Sequence, residues 1–123
     1  MRRALAAIAA VGALGSGAAS AGPADVVAAR AVCQGDTCTI QATVRHADEG
    51  WNHYADRFEV LDPDGKVLAT RVLQHPHVDE QPFTRALPGV RIPEGVDRVR
   101  VRAGDSVHGL GGAEVDVQIV RGK

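Results

Sequence analysis

The chain has 123 residues, a formal net charge of −1, one Trp, one Tyr, two Phe and two Cys. That length holds one domain, and a near-balanced charge excludes the basic face of a general nucleic-acid binder. A hydrophobic fraction of 45% excludes a wholly disordered chain.

Residues 1–21 read as a secretory signal peptide. Arg2 and Arg3 give a positive start, Ala4 to Leu14 an apolar run, and Ala19-Ser20-Ala21 a small-residue cleavage pattern. The run is too short to span a bilayer. The expected domain is therefore 22–123, in the periplasm or secreted, with no membrane insertion once the signal is removed. The leader takes two Arg with it, leaving 12 basic and 15 acidic side chains, a net charge of −3.

Export sets the reading of Cys33 and Cys38. A pair at short range in an oxidising compartment is first a disulfide. Gln34-Gly35-Asp36-Thr37 between them carries turn chemistry, so the bond is expected to staple a hairpin. A loop this small stabilises by about 2 kcal/mol through the unfolded chain. The spacing C-x4-C is not that of a thioredoxin-like redox motif.

Beyond residue 22 the apolar residues recur with period two, the signature of strands. Cys38, Ile40, Ala42 and Val44 share one face. Tyr54, Phe58 and Val60 share another. Asp62-Pro63-Asp64-Gly65 is a turn, and it lacks the further acids of a calcium loop. Val67 to Leu73 is apolar on both faces and predicts a more buried strand. Segment 75–83 is the least strand-like, because Pro76 and Pro82 cannot donate to a ladder. Pro88-Gly89 and Pro93-Glu94-Gly95 are breaks. Val96 to Ala103 and Ala113 to Val120 predict a closing hairpin, with 98 opposite 118, 100 opposite 116 and 102 opposite 114, matching Arg to acid twice.

Together these segments predict an all-β fold, a single immunoglobulin-like antiparallel β-sandwich of about seven strands. A small barrel is the alternative.

All four aromatics and four of the five histidines fall between residues 46 and 85. In His75-Pro76-His77 the two imidazoles are two residues apart, on one side of an extended chain. Such a pair can chelate an ion, and imidazole suits copper and zinc. His53, His75, His77, His108 and Glu80 are the candidate metal ligands, with Asp56 and Asp79 nearby. His46 continues an apolar face and is expected to be a satisfied, half-buried side chain rather than a ligand. Trp51, Tyr54, Phe83 and Arg85 are the candidate contacts for a protein partner. Two of these carry a structural alternative: Trp51 as core plug and Phe83 as core anchor. No nucleophile setting or phosphate loop is present, so no catalytic residue is expected and the chain is read as a non-enzyme.

The runs Gly50-Trp51-Asn52-His53-Tyr54-Ala55-Asp56, Val60 to Gly65 and His75 to Arg85 resemble a group of small exported bacterial proteins. That resemblance covers roughly 46–109 and implies a compartment and a fold, not a reaction. The last hairpin, with Val107-His108-Gly109 in its loop, is similar at fold level to copper-binding sandwich proteins of the CopC type. Met1 is the only methionine, which disfavours copper(I) and leaves copper(II) or zinc. The sequence thus predicts an exported sandwich with a loop histidine cluster that binds copper or zinc. Its rival is a metal-free module that contacts an envelope protein through 51–54 and 80–85.

Overall fold

A computed structural model describes residues 22–121. The signal peptide read at 1–21 lies outside the described residues.

Seven strands form two antiparallel sheets, and no helix occurs among the described residues. They are β1 (Asp25–Gln34), β2 (Thr37–Arg45), β3 (Ala55–Leu61), β4 (Val67–Val72), β5 (Phe83–Arg91), β6 (Arg98–Asp105) and β7 (Val115–Gln118). One sheet has the order β1-β2-β5 and the other β4-β3-β6-β7. This is the immunoglobulin-like sandwich expected, in a variant where β4 pairs with β3 instead of lying beside β5.

Side-chain alternation drives the assembly. Cys38, Ile40, Ala42 and Val44 of β2 are buried, as are Val99, Val101 and Ala103 of β6. Between the sheets lie Phe58, Phe83, Ile40 and Ile92, the bulkiest fully buried side chains. Burying each such side chain stabilises by about 1.5–3 kcal/mol. Cys33 and Cys38 face each other across the β1–β2 hairpin and form the disulfide.

Three strand expectations need correction. The Val67–Leu73 run is not a buried strand: β4 is a sheet edge, with Val67 and Val72 exposed. An apolar run reports composition, and a strand's place within its sheet is set by pairing. Arg71 Nε of this edge donates to Ala86 O of β5 at 3.0 Å, tying the two sheets together. Pro88-Gly89 does not end a strand. β5 runs through it, and the register shifts opposite Cys38 and Ile40, a bulge on an edge strand. In the last hairpin Arg98 pairs with Gln118 and Arg100 with Asp116, as the charge pattern predicts. Arg102 turns to β3 instead, where its Nε lies 2.7 Å from Glu59 Oε1.

The topology gathers chemistry at one end. β2 ends at Arg45, and Val44 pairs with Phe83 at the start of β5. β3 starts at Ala55, which pairs with Asp105 at the end of β6. The loops 46–54, 73–82 and 106–112 therefore emerge side by side.

Candidate metal centre

The inward face of β2, read two residues past Val44, arrives at His46. The inward face of β6, read two past Ala103, arrives at Asp105. Both are buried, so each core face ends in a polar group that meets the other. His46 Nε2 lies 3.1 Å from Asp105 Oδ2, and His46 Nδ1 lies 2.6 Å from Asp48 Oδ1. Both ring nitrogens of His46 thus face a carboxylate oxygen.

His53 reaches the same carboxylate from the 46–54 loop. The loop turns at Gly50, whose φ of 91° favours glycine, and His53 N donates back to Gly50 O. His53 Nε2 stands 3.4 Å from Asp105 Oδ2, and His53 Nδ1 stands 3.1 Å from Glu49 Oε1. One ligand atom each from His46, His53 and Asp105 lies within 4.8 Å of the others. These two imidazoles share a pattern. The near nitrogen faces Asp105 and the far nitrogen is held by a carboxylate, the arrangement that orients metal-bound histidine.

Asp105 also shapes its own loop. Its Oδ1 accepts from the backbone N–H groups of Val107 and His108, and its backbone pairs both ways with Gly109. The turn brings His108 Nδ1 to 3.1 Å from Asp105 Oδ2 and 3.2 Å from His53 Nε2. Burial alone would push the Asp105 carboxyl up. The N–H and side chain of His108, the N–H of Val107 and the charge on His46 outweigh it and hold the carboxyl down at about 2. Asp105 is therefore an anion at any ordinary pH.

Asp48 is the second buried acid. It accepts from His46 Nδ1 and from the N–H groups of Ala55 and His77. Gln81 doubles the link to the 73–82 loop: its Oε1 accepts from His46 N and its Nε2 donates to His77 O.

Of the residues singled out by sequence, the structure brings His53 and His108 together. His75 and His77 do not enter that group. Their rings lie 4.7 Å apart, but His77 is buried and stacks on Phe83 at 4.0 Å. Its Nδ1 is buried without a hydrogen-bond partner. A metal on Nε2 would fix a proton on that orphaned atom, which makes His77 a poor Nε2 ligand. Burial lowers its pKa first, with the Arg85 and His75 charges adding, against the raising effect of Asp48 and Glu80. Glu80 is exposed and pairs with Arg85 at 3.0 Å, which lowers its own pKa.

His46, expected half-buried and outside any ligand set, is fully buried and belongs to the group. Parity along β2 points His46 inward, and Asp105 has the same inward parity on β6, two residues past the last apolar side chain, Ala103. Among the partner contacts, Phe83 is a core side chain, 1% exposed, and offers no surface. Trp51 is not a core plug: it is 67% exposed and meets Tyr54 edge-on at 5.6 Å. Arg85 lies over the Phe83 ring, 5.5 Å from its centre.

A surface hollow lies near the disulfide hairpin, lined by Asp36, Arg91, Glu94 and Arg121 among others. It carries both signs of charge and no group of three ligating side chains.

A protein of Halomicrobium mukohataei named "Putative lipoprotein" is 36% identical over 88 residues, covering 72% of this chain and 43% of that protein. The chain thus spans less than half the length of that relative. No family model matches the chain, and no solved structure matches it. The likeness to CopC-type proteins therefore gains no support from known structures.

Proposed function

We propose that this protein is an exported protein that binds one divalent transition metal ion through His46, His53 and Asp105. The observation that carries the reading is the pair of imidazoles aimed at one buried carboxylate, each braced from behind by Asp48 or Glu49. Separations of 3.1 and 3.4 Å to Asp105 Oδ2 suit ligands about 2.0–2.1 Å from a tetrahedral ion. Imidazole and carboxylate are borderline to hard donors, and both thiols are spent in the disulfide, which favours zinc or copper(II) over copper(I). With Nδ1 held by Asp48, Nε2 of His46 is the nitrogen that would meet the ion. The role is binding rather than turnover. Export is supported by the leader-like 1–21 and by the name of the Halomicrobium relative.

Titration of the purified protein with zinc and with copper(II) tests this. The expected result is one tight site per chain, weakened at least a hundredfold by His53→Ala and by Asp105→Asn. Affinity equal to that of the urea-unfolded chain, or unmoved by either substitution, overturns it.

A second reading rests on Trp51. An exposed Trp paired with Tyr54 is a contact surface for an envelope protein, with Arg85 as a further candidate contact. A photocrosslinker at position 51 should then trap a discrete partner in cells, with metal titration unchanged by Trp51→Ala. No crosslinked species would remove this reading.

A further inference from the structure

We infer that His108 is the fourth ligand of the site and the one through which the ion enters and leaves. This inference rests on the metal reading above and extends it to coordination number and access.

Four short separations, each involving Asp105 Oδ2 or His53 Nε2, link the candidate donor atoms. Asp105 Oδ2 lies 3.1 Å from His46 Nε2, 3.4 Å from His53 Nε2 and 3.1 Å from His108 Nδ1. His53 Nε2 and His108 Nδ1 are 3.2 Å apart. Adjacent ligands of a tetrahedral ion with bonds of about 2.0–2.1 Å stand about 3.3–3.4 Å from one another. Four of the six edges of one tetrahedron are thus matched to within a few tenths of an ångström, while His108 stands outside the trio of His46, His53 and Asp105 whose ligand atoms all lie within 4.8 Å of one another, so its ring must swing inward to complete the site.

His108 also differs from the other three. The side chains of His46 and Asp105 are fully buried and that of His53 nearly so, whereas that of His108 is 39% exposed. Its backbone is fixed by Asp105 Oδ1 and by the Asp105–Gly109 bridge, so χ rotation alone can move the ring. His108 Nδ1 faces Asp105 Oδ2 and His53 Nε2, so it is the ring nitrogen that would meet the ion, with Nε2 turned to solvent to carry the ring proton.

Replacing His108 with Ala should therefore keep the ion bound by three ligands but leave one position open to solvent or to a small nitrogen base. The protein is loaded with one equivalent of copper(II), and its paramagnetic resonance spectrum and its release to excess chelator are recorded. His108→Ala should remove one nitrogen from the coupling pattern and speed release at least tenfold. Added imidazole should restore both toward wild type. A variant with wild-type spectrum and release rate, in a protein where His53→Ala abolishes binding, overturns the role of His108 and leaves the three-ligand site intact. Failure of the wild-type protein to bind copper(II) or zinc overturns both.

Discussion

His46 Nε2 and Asp105 Oδ2 stand 3.1 Å apart across 59 positions of sequence, with both side chains fully buried. Their contact joins the ends of β2 and β6, one strand from each sheet. Charge buried this deeply is stable only while every member is paired.

Asp48 carries the same burden with three donors, the imidazole of His46 and the N–H groups of Ala55 and His77. Asp48→Ala leaves those donors buried and unpaired, and should cost about 3–5 kcal/mol. Urea denaturation of the metal-free protein measures it. A loss under about 1 kcal/mol would show that water replaces the carboxylate.

Asp105 predicts an acid limb in the stability profile. Its folded pKa of about 2 lies below the ordinary 3.8, so ionised Asp105 favours the folded state. That stability is complete above pH 4 and disappears as pH falls through 2. The shift corresponds to about 2 kcal/mol. The stability gap between wild type and Asp105→Asn should narrow by about that amount between pH 5 and pH 2. A constant gap would contradict it.

His77 has the opposite acid chemistry. Its folded pKa is lowered from 6.5, chiefly by burial, so the neutral ring favours the folded state. Stability from this group is full above pH 6.5 and declines below it. His77→Phe keeps a ring on Phe83 and removes the orphaned Nδ1. The variant should gain about 1 kcal/mol at pH 5 and show a flatter profile between pH 5 and 7. Loss of stability at pH 5 would mean that Nδ1 has a partner in solution.

Gly112 sits where β1 meets the approach to β7. Val26 N donates to Ala113 O, and Ala113 N donates to Asp25 Oδ1. A Cβ on Gly112 would collide with the backbone carbonyl of Ala24. Gly112→Ala should lower the melting temperature by several degrees, as expected for about 1–3 kcal/mol. Gly104→Ala should cost less, since its Cβ would meet only the movable Arg57 guanidinium.

Much of the sandwich is legible in the chain because alternation marks faces directly. The β2 and β6 faces, the disulfide hairpin and the Arg100–Asp116 pair follow from parity and charge alone. Sheet edges do not, since β4 looks buried by composition and is placed by pairing. The site was half legible. His53 and His108 carry a visible histidine signal. Asp105 carries only its position, two residues beyond Ala103 on an inward face, and means nothing until a second inward face brings His46 to it. His75 and His77 share the spacing the chain shows but lie apart from the His46–Asp105 group, because His77 is drawn inward by Phe83 and Asp48.

The disulfide sits at one end of β2 and His46 just past the other, about 25 Å away at the rise of an extended strand. The two chemistries are thus insulated from each other by a full strand of aliphatic core. A reporter dye at the exposed Gly35 tip could follow folding without touching the His46–Asp105 group. Reduction of the disulfide and changes at the histidine cluster become independent handles, each addressing one pole of the same small sandwich.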